Sequence, residues 1–212
     1  MSHAVLPDLI ARYPELDECV HDIDGAFRLL EACFERGGKV LVCGNGGSAA
    51  DCEHLVGELM KGFLSKRPLP REERARFAES FPKEGDYLAD HLQGALPAIS
   101  LVSQSALVTA FANDVASDMV YAQQVYGYGR PADALIAIST SGRSANILNA
   151  LRVARTQGLS TIGFSGRSGG DMPELCDVIV RVPEEGTLKI QERHLPIYHA
   201  LCSMLEQAFF PD

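Results

Sequence analysis

No stretch of this 212-residue chain holds the roughly 18 consecutive apolar residues that a membrane-spanning helix needs, so no span is expected. The N-terminal Met1-Ser2-His3-Ala4 lacks a basic segment leading into an apolar one, which argues against secretion. None of the six cysteines (Cys19, Cys33, Cys43, Cys52, Cys176 and Cys202) forms a C-x-x-C pair, so zinc-finger and disulfide frameworks are not expected. Cys33 and Cys202 sit on apolar faces, and buried thiols in a reducing, cytoplasmic setting are the simplest reading. Basic residues are short in supply, 19 Lys and Arg against 28 Asp and Glu, for a net charge of −9. That balance argues against an extended nucleic-acid surface. It leaves room for a small phosphorylated ligand, which backbone amides at a helix N-terminus hold without a basic surface. No long repeat or low-complexity tract appears, and the length suits one domain around one core.

What the chain does have is alternation. Short apolar runs at Lys39–Cys43, Pro97–Leu101, Ala134–Ile138, Ser160–Phe164 and Asp177–Val182 read as strands. Between them lie helical patterns at about Ser48–Lys61, Ala106–Ala112, Ser117–Tyr126 and Ser144–Gln157. Helical spacing also covers Leu6 to Arg36, interrupted at Pro14, and Thr187–Phe209, where Pro196 predicts a kink or a fresh start. Strands alternating with helices predict an α/β fold with a five-stranded parallel sheet covered on both faces, its ligand site at the carboxyl ends of the strands.

Two strand-to-helix turns are rich in glycine and hydroxyls: Cys43-Gly44-Asn45-Gly46-Gly47-Ser48 and Ser139-Thr140-Ser141-Gly142-Arg143-Ser144. Such turns present N–H groups and hydroxyls to an anion. Any strand-to-helix turn favours Gly and Ser, but two in one small domain suggest a phosphorylated ligand with further polar groups to be held. His54 and Glu58 share a helix face at i, i+4, where they could bind a metal or a substrate, or form a surface hydrogen bond. Gln191 and His199 lie eight residues apart, roughly 12 Å along a helix, which is awkward for two ligands of one ion. Asn113-Asp114 falls at a break between two helices, where a helix cap is the plain reading. The segment from Phe63 to Leu96 stands apart, with Pro68, Pro70, Pro82 and the run Arg71-Glu72-Glu73-Arg74-Ala75-Arg76. Short helices are expected at about Arg71–Ser80 and Tyr87–Gln93, either as a solvated elaboration or as a cap or subunit contact.

Taken as a set, the C-G-N-G-G-S loop, His54-x-x-x-Glu58, Asn113-Asp114, the S-T-S-G-x-S-A-N stretch from Ser139 to Asn146, and Ile190-Gln191-Glu192 with His199 resemble phosphoheptose isomerases. These form a branch of the sugar isomerase (SIS) domain superfamily. The resemblance covers about residues 5–62 and 97–210. It implies a three-layer α/β/α sandwich and a homotetramer with active sites at subunit interfaces. The implied reaction converts sedoheptulose 7-phosphate to an aldoheptose 7-phosphate through an enediol. By position in the motifs, Ser139, Thr140, Ser141 and Ser144 would hold the phosphate. Asn45, Gly46, Gly47, Ser48, Asn113, Asp114 and Gln191 would lie around the substrate. Glu58 and His199 match the acid/base pair, and His54, Glu58, Gln191 and His199 match the ligands of a zinc ion found in some members. No nucleotide cofactor is implied. Four departures stand out: Lys61-Gly62-Phe63 where an Arg is expected after Glu58, Leu188-Lys189 before the I-Q-E motif, Pro196 inside the last helix, and the long insertion at 63–96. Two other readings fit the same loops. One is a non-catalytic SIS adaptor that binds the replication initiator protein, suggested by Phe209-Phe210-Pro211. The other is a sugar-phosphate-sensing module.

Overall fold

The computed structural model describes residues 4–211. Five strands form: β1 (Val40–Gly44), β2 (Ala98–Ser100), β3 (Ala134–Ile138), β4 (Ser160–Ser165) and β5 (Val178–Arg181). The helices are α1 (Val5–Arg12), α2 (Val20–Glu35), α3 (Gly47–Met60), α4 (Arg71–Ser80), α5 (Gly85–His91), α6 (Ser105–Asp114), α7 (Val120–Tyr128), α8 (Ala145–Thr156) and α9 (Thr187–Phe209). β1 and β3 are buried along their whole length, as strands covered on both faces of a parallel sheet must be. Within the sheet the strand pairings are all parallel, in the order β2-β1-β3-β4-β5.

Successive residues of each strand face opposite sides, and each side has its own cover. Val40, Val42, Ala134 and Ile136 join a cluster with side chains of α2, α3 and α9, among them Phe27, Leu55 and Leu201. Leu41, Cys43, Leu135 and Ala137 join a second cluster with Val125 of α7 and Leu151 of α8. The result is a three-layer α/β/α sandwich. From β1 the chain crosses to β2 on one side, then returns to β3 on the other, so the strand order reverses between β1 and β3. A crevice opens at the carboxyl ends of two strands that part in this way. Both glycine- and hydroxyl-rich turns leave those two strand ends.

The interruption at Pro14 holds, and two other expectations change. Pro14 opens a short 3₁₀ turn, Pro14–Cys19, before α2 begins. Asn113 and Asp114 are the last residues of α6 rather than a break between helices. Pro196 neither ends nor restarts α9, which runs unbroken from Thr187 to Phe209. Pro196 is itself buried, beside buried Ile197, Tyr198 and Leu201. The packing of this stretch outweighs the one backbone hydrogen bond that a proline removes.

The insertion folds as α4 and α5, which pack on each other; α4 buries none of its residues and α5 buries Gly85 and Ala89. Its neck is anchored. Arg67, the non-glycine residue with a left-handed backbone among those described (φ 44°), is fully buried. Its Nε donates to Glu206 Oε1 at 2.6 Å and its guanidinium also reaches the carbonyls of Leu59 and Glu58. Burial works against the Glu206 carboxylate, but the N–H groups of Phe63, Leu64 and Ser65 and the Arg67 guanidinium more than offset it and hold its pKa low.

Candidate active site

Asn45, Gly46, Gly47 and Ser48 from the first turn line a cleft of about 240 Å³ with Ser139, Thr140 and Ser144 from the second, and with Thr187 and Gln191 from α9. The local sequence makes this possible. Gly46 has a positive φ of 58°, and a side chain on Gly47 would strike the Gln191 amide at 2.5 Å. The first turns of α3 and α8 begin at this cleft, and their leading N–H groups have no partner inside the helix. Ser144 occupies the N-cap position of α8 yet makes no side-chain cap. Its Oγ lies 3.2 Å from Ser139 Oγ instead, which leaves both hydroxyls facing the cleft. The two turns are joined by a reciprocal amide pair, Asn45 to Asn146, at 2.9 Å in each direction. Ser141 is exposed, accepts a bond from the Arg143 N–H, and is not among the cleft-lining residues.

A second group gathers where α3 lies beside α9. His54 Nε2 is 3.4 Å from Glu58 Oε1 and 3.4 Å from His199 Nε2. Lys61 Nζ binds the other Glu58 oxygen at 2.8 Å, so a cation does stand beside this carboxylate, as a lysine from the first of the unexpected positions. Behind His54, the Tyr198 hydroxyl is 3.0 Å from Nδ1 and 3.3 Å from Asp51 Oδ1. Burial, then Asp51, pushes the Tyr198 phenol well above its ordinary range, so it keeps its proton. Burial raises the Asp51 carboxyl while the Tyr198 hydrogen bond pulls it back. Burial and the neighbouring His54 lower the pKa of His199, which keeps that ring neutral at neutral pH. The Phe63 ring, at the start of the insertion, sits 5.4 Å from the His199 ring. Phe63 and His199 share the wall of a cleft of about 420 Å³ with Val5, Asp8 and Arg12 of α1.

The residues singled out from the sequence thus fall into three places. Asn45, Gly46, Gly47, Ser48, Ser139, Thr140, Ser144 and Gln191 share the first cleft. His54, Glu58 and His199 form the second group, and among the described residues no hydrogen bond joins Gln191 to it. Asn113 and Asp114 bond to each other at the exposed end of α6. Thr187, Asp51 and Tyr198 are additional participants that the linear pattern did not single out, and Asn146, quoted there only as the end of a motif, pairs with Asn45.

A SIS domain family model matches residues 11–88 and 78–166. A phosphoheptose isomerase of Rhodospirillum rubrum is 39% identical over 193 residues, covering 91% of this chain and 89% of the relative. One from Desulfovibrio desulfuricans is 41% identical over 183 residues, 86% of this chain and 75% of the relative. Among solved structures, phosphoheptose isomerase from Francisella tularensis aligns with a TM-score of 0.76 at 32% identity, covering 93% of this chain and 91% of that one. The enzyme from Neisseria gonorrhoeae aligns with a TM-score of 0.74 at 30% identity, over 95% and 94%. At this identity and coverage, and with the fold itself shared, the chain belongs to the phosphoheptose isomerase family of SIS-domain proteins.

Proposed function

We propose that this chain interconverts the ketose and aldose forms of a heptose 7-phosphate, with sedoheptulose 7-phosphate as the ketose. The observation that carries the reading is the gathering of Glu58, His54 and His199 within 3.4 Å contacts on α3 and α9, in a chain that also builds an anion cleft from two helix N-termini. A sensor or an adaptor needs no such carboxylate–imidazole group, and the family relatives are isomerases.

In this reading Ser139, Thr140 and Ser144 and the first turn of α8 hold the phosphate, with Asn45, Gly46, Gly47, Ser48 and Gln191 along the sugar. Glu58 takes a proton from the carbon beside the carbonyl and returns it to the neighbouring carbon. His199, neutral before reaction, moves a proton between the two oxygens, so the enediol forms and collapses with no net change in protons. Glu58 lies eleven residues along α3 from Gly47, roughly 16 Å at helical rise. That length supports a site in which one subunit's phosphate cleft faces another's Glu58 and His199, within a homotetramer. It also gives Asn113 and Asp114, remote in a single chain, a neighbour's site to reach.

Two zinc ligands at about 2.0–2.1 Å in tetrahedral geometry stand about 3.3 Å apart, and the His54–Glu58 and His54–His199 spacings fit that. Among the described residues no three such side chains close on one point, so the fit is pairwise, with His54, Glu58 and His199 as holders and Gln191 as the further expected ligand. A bound zinc ion would supply a positive charge for the developing oxyanion. The test is a panel of pentose, hexose and heptose phosphates followed by NMR, with added zinc and with chelator. Conversion of sedoheptulose 7-phosphate is expected; binding without turnover of any sugar would favour a sensor.

A further inference from the structure

The chain Asp51–Tyr198–His54 has no part in the proton transfers above, yet it is built with care. Tyr198 is almost wholly buried, its ring packs edge-on to His54 with centroids 5.5 Å apart, and its hydroxyl lies between His54 Nδ1 and Asp51 Oδ1. One hydroxyl has one proton, so with a neutral His54 ring two arrangements exist. If Tyr198 donates to His54 Nδ1, a half-buried Asp51 carboxylate faces the phenol's lone pairs, and His54 carries its proton on Nε2. If Tyr198 donates to Asp51, its oxygen accepts from His54 Nδ1–H, and Nε2 keeps its lone pair. Tyr198 is the hydrogen-bond donor that reaches Asp51 among the described residues, and a partly buried carboxylate is costly without one. The second arrangement satisfies all three groups.

We propose that Asp51 and Tyr198 are positioning residues that lock His54 in its Nδ1–H tautomer, so that the Nε2 lone pair points at the space shared with Glu58 and His199 as an electron-pair donor for a divalent cation. The metal part of this rests on the zinc reading above; the tautomer part does not. Neutral imidazole in water prefers the opposite tautomer, so the lock has something to do. An outer partner of this kind fixes ring orientation and tautomer for a metal-binding histidine. Without a cation, the 3.4 Å contact between the two Nε2 atoms takes one proton, donated by His199 Nε2–H to the His54 lone pair, and the same His54 lone pair is the one a cation would take up.

The test uses full-length protein labelled with ¹⁵N-histidine, free of metal and substrate, with the His54 signals assigned by their loss in His54→Gln. Near neutral pH the wild type is expected to show a protonated Nδ1 and an unprotonated Nε2. Tyr198→Phe keeps the ring but removes the hydroxyl and should return His54 to the Nε2–H form. In Asp51→Asn the amide donates to the Tyr198 oxygen, which turns the hydroxyl toward Nδ1 and gives the same reversal by a different route. Zinc affinity measured by chelator competition should fall about 10–100-fold in each variant. A wild-type His54 protonated at Nε2, or an unchanged tautomer in two folded variants, overturns the proposal. If the tautomer reverses as expected but the wild type binds no zinc, the lock stands and the zinc reading falls.

Discussion

His194 shows how one buried residue can set a limit for the whole fold. It is fully buried on α9, edge-on to Phe164 at 5.6 Å, with no partner for Nδ1 among the described residues and Nε2 3.5 Å from the Ser165 carbonyl. Burial lowers its pKa from 6.5 to about 4, partly offset by the Ser165 carbonyl. The folded state therefore binds fewer protons than the unfolded state between those values. Stability from this residue is complete above pH 6.5 and is lost as pH falls toward 4. Between about pH 7.5 and 5 the loss should be about 2 kcal/mol, read by urea unfolding. His194→Leu should flatten this part of the profile; an equal slope in both proteins would assign the acid sensitivity elsewhere. At the reaction centre, Glu58→Gln should lower kcat by about 10²–10⁴ while calorimetry finds the sugar phosphate still bound. Near wild-type turnover in the purified variant would remove Glu58 from the role of base.

Among the elements, the turn from β3 into α8 carries the sharpest distinction. Four hydroxyls stand in six residues, but only Ser139, Thr140 and Ser144 line the cleft, while Ser141 is exposed and bonded to its own loop. Ser139→Ala with Ser144→Ala should therefore weaken phosphorylated ligands by about 1.5–3 kcal/mol per lost bond, and Ser141→Ala much less. Calorimetry on phosphorylated and unphosphorylated sugars would read this, and equal losses for both ligand classes would place the phosphate elsewhere. The strands were legible because a doubly covered parallel strand is an unbroken apolar run with few alternatives, as at Ala134–Ile138. The insertion's first helix, expected at about Arg71–Ser80, forms there as α4, while the second, expected at about Tyr87–Gln93, forms two residues earlier as α5, Gly85–His91. Pro196 misled because local backbone chemistry argues for a break while the burial of the residues around it, invisible locally, argues for continuity. The same limit hid Tyr198 behind His54, Asn146 opposite Asn45, and Glu206 beneath Arg67. Each pair is more than 100 residues apart in the chain, and no spacing rule connects them.

For the whole molecule, the separation of the two groups is the fact that needs an explanation. The phosphate cleft and Glu58 lie at opposite ends of α3, about 16 Å apart by helical rise, longer than the span from phosphate to reacting carbons in one heptose phosphate chain. Apolar surface is also exposed at α6: Val108 and Phe111 pack half-buried against the second core cluster, but Leu107 is 37% exposed and Val115 just beyond the helix is 66% exposed. Exposed apolar surface of this kind is commonly covered by a symmetric copy. A homotetramer in which each site joins one subunit's cleft to another's Glu58 and His199 accounts for both features. Light scattering at micromolar concentration should report that tetramer. The decisive experiment mixes two impaired proteins, Glu58→Gln and the weakly binding Ser139→Ala, Ser144→Ala double variant, at substrate concentrations well below the double variant's KM and under conditions that allow subunits to exchange. If each site draws on two subunits, about a quarter of the sites in random mixtures regain both intact halves, and activity reappears. If each site is built within one chain, no site in the mixture is whole and activity stays at the level of the two parents, which would overturn the shared-site arrangement.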